Sequence, residues 1–347
     1  MRIRNRTTNY KPLFFAFSVF AMLWVTLLLY AGAYTTSIQA GMAFLDWPLS
    51  NSSVNPDGWL TNEDMRAEHS HRLLGAKLGM LAIAMVIWTQ LREARVGVRR
   101  LAITILVVIV LQGLLGGMRV LFDQLNTGWD HNIVARTFAV FHACGAQITV
   151  CMLVAMAAIN SRAWIERQAG LKAPVSQNIR RWGYASVAVL FVQIILGAVM
   201  RHSGAGLAIP TFPLTPDGSI FPAFWNFPIT INWLHRAGAV AATIVLVIFV
   251  GKILGSSITR KPLGWLGWTV CALLVIQIFL GAATIWTHKN PVMASNHMVV
   301  GAFLLGSTWL LTLLTLRIPV SVSVVQKGAD SVGKKQQDSS FGQPAKT

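Results

Sequence analysis

Glu68, His71 and Arg72 stand where an acidic stretch, NEDMRAEHSHR, runs into an apolar one. Residues three apart share a helix face, so a carboxylate and an imidazole would lie together at the mouth of a membrane span. Both are costly there unless they serve something. The same join recurs 164 residues later, where NWLHRAGA carries His235 and Arg236 in the places of His71 and Arg72. Two further histidines repeat more loosely, His142 with His297 at an offset of 155.

A single histidine in a span more often bonds a neighbouring helix than a metal. Four of them, paired by an internal repeat and level in the membrane, reverse that expectation. Two imidazoles on parallel-running helices of a four-helix bundle can grip a flat tetrapyrrole with iron between them. Zinc or copper would want three or four convergent ligands, often with cysteine or carboxylate. The pattern therefore predicts one haem per half, with His71 and His142, and His235 and His297, as axial ligands. Arg72 and Arg236 follow the first ligand of each pair and are expected to meet haem propionates. His69, His131, His202 and His288 have no partner in the repeat and read as interfacial polar residues. Cys144, Cys151 and Cys271 fall within spans and read as small buried residues, so no disulfide is expected between the outer loops.

The elements that must position these groups are membrane helices. The chain is 54% hydrophobic and 12% charged, far from the composition of a soluble domain. Eight apolar segments of spanning length can be read, at about 12–34, 69–90, 101–120, 136–158, 182–201, 233–254, 264–285 and 294–316. The net charge of +17 is carried by the termini and alternate loops, as in Arg92, Arg95, Arg99 and Arg100 or Arg260 and Lys261. Asp46, Asp57, Glu63 and Asp64 lie on the other side. That is a topology signal with both termini cytoplasmic, not a nucleic-acid surface. The first apolar run is too long for a cleaved signal, and no targeting presequence is read, so a bacterial plasma membrane is expected.

The second half repeats the first. AGMAFLDWP (40–48) aligns with AGLAIPTFP (205–213), Gly32 with Gly197, and LQGLLGG (111–117) with IQIFLGA (276–282), all at offset 165. Each half holds four helices, so the halves share an orientation and relate by a pseudo-two-fold along the membrane normal. The expected organisation is a cytoplasmic segment 1–11, a four-helix bundle 12–160, a linker 161–181, a second bundle 182–316 and a disordered polar tail 317–347. A short motif, Gln-x-x-Leu-Gly, recurs at Gln112–Gly116, Gln193–Gly197 and Gln277–Gly281. Its glycines read as helix packing and its glutamines as interhelical hydrogen bonders.

The halves differ at one informative position: Asn232 stands where Glu68 stands. Only the first half has an ionisable carboxylate one turn from its ligand. A pure electron-transfer protein would not need that difference. An enzyme that reacts one haem and keeps another would, which makes the first half the reaction chamber and the second the redox cofactor site.

Taken together, Glu68-x-x-His71-Arg72, the GMAFLDWP block, the three Gln-x-x-Leu-Gly motifs, His142 in FHACGA, Asn232-x-x-His235-Arg236 and His297 in SNHMVVGA resemble the haem A synthase family. The resemblance covers about residues 12–316. It implies eight transmembrane helices in two halves and oxidation of the C8 methyl of haem O to a formyl group, through successive hydroxylations. It also implies haem A as product for terminal oxidases, haem O as substrate at His71 and His142, a resident haem b at His235 and His297, and Glu68 as the acidic catalytic residue. Haem O synthase and terminal-oxidase assembly factors are the partners it implies, and a homo-oligomer stays open. Some members of the family carry a cysteine pair in the first outer loop; residues 35–68 here have none. The alternative from another class is a di-haem b-type membrane electron-transfer cytochrome.

Overall fold

Apolar length and end-capping together set the helices. The structure, a computed structural model, describes residues 6–125, 132–166 and 173–317. The expected tail beyond 317, His131 and residues 167–172 of the expected linker lie outside the described residues. Eight long helices run through the rest: α1 (Pro12–Ser37), α2 (Glu63–Arg92), α3 (Val96–Leu125), α4 (Ile133–Asn160), α6 (Gln177–His202), α7 (Phe227–Gly255), α8 (Arg260–Trp286) and α9 (Pro291–Thr315). A single turn, α5 (Arg162–Ile165), follows α4. All eight are long and apolar enough to cross a bilayer, and among the described residues extended pairing is confined to isolated bridges. The chain is an all-α, multi-pass membrane protein.

Several helices start earlier than the apolar runs predict. α2 begins at Glu63 and not near 69, and α7 at Phe227 and not near 233. The extra turn of α2, EDMRAE, is polar, so hydropathy misses it, and that of α7, FPITIN, carries a proline; each is capped by an asparagine whose side chain accepts from a first-turn amide. Asn62 takes the Met65 amide, Asn132 that of Ala135, Asn226 that of Ile229 and Asn290 that of Val292. Glu63 and Asp64 in the first turn of α2 suit the positive end of its dipole.

α1 to α4 form a closed ring, each packing on the next and α4 returning to α1; α6 to α9 do the same. The rings meet where α1 packs on α9, and α4 on both α6 and α9. Exchanging α1–α4 for α6–α9 leaves this pattern unchanged, as a pseudo-two-fold requires. Polar contacts lock the seam. The Trp309 indole donates to the Cys151 carbonyl at 3.0 Å, and Arg201 to the Ala33 carbonyl and Ser37 hydroxyl at 2.7 and 2.8 Å.

At the C-terminal end of α2 a buried acid gathers four chain segments. Glu93, 2% exposed, pairs with Arg95 at 3.0 Å and Lys11 at 3.4 Å. Arg95 also donates to the Ile159 carbonyl and the Asn160 side chain, at 2.7 and 2.6 Å. Burial alone would push the Glu93 carboxyl up; hydrogen bonds and charge from Arg95, with Lys11, outweigh it and hold the pKa below its ordinary value. A carboxyl depressed on folding contributes stability above its unfolded pKa and loses it as pH falls through the folded value. Glu93→Gln should therefore lower the thermal midpoint of detergent-purified protein at pH 7, by up to the roughly 3–5 kcal/mol of a broken buried pair. The two midpoints should converge as pH falls below the ordinary carboxylate range. Equal midpoints at pH 7 would remove this account.

Candidate paired-histidine site

The four repeat-related histidines sit on the four asparagine-capped helices, α2, α4, α7 and α9. His71, His142, His235 and His297 lie nine, ten, nine and seven residues past their caps. At 1.5 Å per residue that is about 10–15 Å from each helix start, somewhat deeper than the two turns expected.

Each histidine lies against a glycine of the preceding helix. A Cβ added to Gly32 would fall 2.6 Å from His71 Cε1, one on Gly197 2.9 Å from His235, one on Gly281 3.0 Å from His297, and one on Gly116 3.2 Å from His142. No side chain larger than hydrogen leaves those rings where they are. The close approach brings the ring to the carbonyl four residues before the glycine. His142 Nδ1 is 2.9 Å from the Gln112 carbonyl and His297 Nδ1 is 3.1 Å from that of Gln277. A carbonyl can only accept, so Nδ1 carries the proton and Nε2 keeps the lone pair a metal needs. In the third hairpin the Gln193 side chain donates to the His235 backbone carbonyl at 2.8 Å and stands 3.1 Å from Nδ1. In the first hairpin the residue four before the glycine is Leu28 and not glutamine, but it offers the same backbone carbonyl to the His71 ring.

Within each ring the two histidine helices stand diagonally, so the imidazoles face each other across its middle. The ring centres of His71 and His142 are 6.3 Å apart, with planes at 88°. Those of His235 and His297 are 6.4 Å apart, at 74°. Two metal–nitrogen bonds of about 2.0–2.1 Å, each extended by the ~1.1 Å from nitrogen to ring centre, total about 6.3 Å. Both pairs thus have the spacing of two imidazoles on one metal ion. Among the described residues no group of three or more His, Cys, Asp or Glu is placed to hold a metal. An ion held by two protein ligands needs further donors from its own ligand, and a planar tetrapyrrole leaves two axial positions open for such a pair.

The neighbouring residues serve the loops. Glu68, 4% exposed, accepts from Arg72 Nη2 at 2.5 Å and from the Phe44 amide at 3.1 Å. Arg72 also donates to the carbonyls of Asp46 (2.7 Å), Phe44 (3.2 Å) and Leu49. Asn232 accepts from Arg236 Nε at 3.0 Å and donates to the Ala205 carbonyl at 2.9 Å, while Arg236 donates to Ile209 O at 2.8 Å. The donors of Arg72 and Arg236 expected to face propionates go to loop carbonyls. Glu68 shares a helix with His71, but its carboxylate turns to the loop and the imidazole to the ring interior. His69 also belongs to the loop, with Nδ1 3.0 Å from Ser50 Oγ and the Trp59 ring 4.8 Å away. His288 sits in the turn after α8 with φ +52°, and His202 lines a cavity beside His142. The residues whose position the sequence did not disclose are Gln112, Gln193, Gln277 and the glycines behind the rings. Their motif was visible, but its contact with the histidines forms only across a hairpin.

Fold and site define a class: polytopic membrane proteins built by repeat around two imidazole pairs. A family model described as cytochrome oxidase assembly protein, COX15-CtaA, matches residues 15–309. Among similar curated proteins, one described as "Heme A synthase" from Symbiobacterium thermophilum is 31% identical over 278 residues, 77% of this chain and 81% of its own. Proteins of the same description from Geobacillus kaustophilus and Alkalihalophilus pseudofirmus are each 26% identical, over 86% and 87% of this chain and 89% and 97% of theirs. The chain belongs to the COX15-CtaA family of cytochrome oxidase assembly proteins.

Gly197→Val should displace the His235 ring and lower the thermal midpoint, at an overpacking cost of about 1–3 kcal/mol. Gly79→Val, where an added Cβ meets nothing within 4 Å, should change it little. Equal melting of the two variants would contradict the packing described.

Proposed function

We propose that this chain is a haem A synthase, an oxidoreductase that converts the C8 methyl of haem O to a formyl group. The observation that carries the reading is two imidazole pairs of equal spacing, 6.3 and 6.4 Å, in unequal surroundings. His71 and His142 would hold haem O, and His235 and His297 a resident haem b. The bound haems supply the redox chemistry, a four-electron oxidation in all, and the protein supplies position and electrostatics.

What the residues themselves do differs between halves. Backbone carbonyls fix the tautomer of His142 and His297, and the Gln193 side chain stands against His235, where Leu28 gives His71 no such polar side chain. The pair containing His71 also has the acid, and is accordingly the one we assign to the haem that reacts. Beside it Glu68 can take up a proton, which Asn232 cannot, and we assign it that role at the reacting methyl. In the structure its two oxygens also fix Arg72 and the Phe44 amide, so the acid and the loop over the site are coupled.

The Arg-rich connections lie at the end of the helices opposite the histidines, which under the positive-inside rule puts both pairs toward the extracytoplasmic side of a bacterial plasma membrane. Haem O synthase as donor and oxidase assembly factors as recipients follow from the same reading. An electron-transfer cytochrome would have no use for the Glu68/Asn232 difference.

Expression in cells that make haem O, followed by mass analysis of extracted haems, should yield haem A; haem b alone would favour the cytochrome. Glu68→Gln should retain haem and lose product formation by at least about tenfold, and full activity of that variant would remove the proton role.

A further inference from the structure

One turn outward from His142 the helices part around a cavity of about 220 Å³. It is lined by Arg119, Asp123, Asn132, Arg136, Ala139 and His202. Arg119 follows Gly116, the glycine beneath the His142 ring, by three residues, and Ala139 precedes His142 by three. Each step is about 4.5 Å along a helix. The cavity therefore opens beside the first pair and runs from it toward the helix starts.

Its lining is basic and polar at a depth where charge needs a counterpart. Arg119 donates to the Gly41 carbonyl and stands 3.7 Å from Asp123 Oδ2. That separation is too long for a hydrogen bond, and both side chains are about a third exposed, so the pair is weak and leaves guanidinium N–H groups available. Arg136 on α4, which has a polar contact of its own, and His202 on α6 line the same cavity, and the start of α4 adds its partial positive charge. Among the described lining residues Asp123 is the single acid. Arg201, the neighbour of His202, turns away to α1. In the second half Thr284 and Pro291 stand in the places of Arg119 and Arg136, at offsets of 165 and 155. The basic cavity is a property of the first pair.

We propose that Arg119, Arg136 and His202 bind the two propionate carboxylates of the haem held by His71 and His142. This assigns the propionates to residues other than Arg72, whose donors are taken up by the loop. The proposal rests on the reading of the first pair as a haem site. Two guanidiniums facing a dicarboxylate edge give charge-assisted hydrogen bonds of the strong kind, and they set which edge of the haem points outward. The edge opposite the propionates then lies deeper in the ring.

The test compares iron protoporphyrin IX with its dimethyl ester, each titrated into detergent-purified protein. Uptake at the first pair is read as the spectral increment lost in His142→Ala. The free acid should bind at least about tenfold more tightly than the ester, and Arg119→Gln/Arg136→Gln should bring the acid down to the ester's affinity. Arg136→Gln alone, which leaves the Arg119–Gly41 contact in place, should show part of the loss and keeps the test readable if the double variant does not fold. A preference for the acid that survives both variants overturns the proposal while leaving the haem site standing. No preference in the parent protein overturns it too, and would leave the cavity to another anion such as a lipid headgroup. Uptake unaffected by His142→Ala would instead remove the haem site itself.

Discussion

A histidine set 10 Å or more down a membrane helix has two ring nitrogens to satisfy and no bulk water to do it. This protein meets the constraint by bringing each ring against the backbone of the preceding helix. Contact that close is open only to glycine, and Gly32, Gly116, Gly197 and Gly281 stand behind the four rings. For His142 and His297 the carbonyl one turn back takes the Nδ1 proton, leaving Nε2 directed to other use. The ring separation across each bundle, the diagonal placement of the ligand helices and their common depth all follow from these hairpin contacts.

The outer loops are organised by a second recurring device. Arg72 gathers the carbonyls of one loop and Arg236 those of the other, each steadied by the residue four positions earlier, Glu68 or Asn232. The geometry is common to both halves and the charge is not. A carboxylate and an amide can each accept from a guanidinium, so the scaffold tolerates either, and the choice is free to answer to chemistry.

Much of this was legible in the residues. The repeat, the span count and the four paired histidines followed from apolar length and from blocks sharing one offset. What was not legible had physical reasons. Helix starts were misplaced because the caps at Asn62 and Asn226 extend α2 and α7 by a further turn, polar in α2 and opened by Phe227-Pro228 in α7. The Gln-x-x-Leu-Gly motifs were visible, yet their contact with the histidines depends on pairing across a hairpin whose connection ranges from short to long. The fourth copy was hidden because Leu28 replaces its glutamine. Arg72 looked like a ligand for anions since sequence shows the charge but not the loop carbonyls that absorb it. His202 looked idle since its companions, Arg119 and Arg136, come from two other helices.

The hairpin is the smallest piece that carries the pattern, and it occurs four times. One copy brings one imidazole, so an ancestral chain of this kind needed a second copy before it could grip anything. Successive duplication and fusion would supply that partner in cis and then a spare pair. With two pairs on one plan, residue 68 and its counterpart 232 need not carry the same charge. Two sites with unlike surroundings can arise from one architecture without the invention of a new fold.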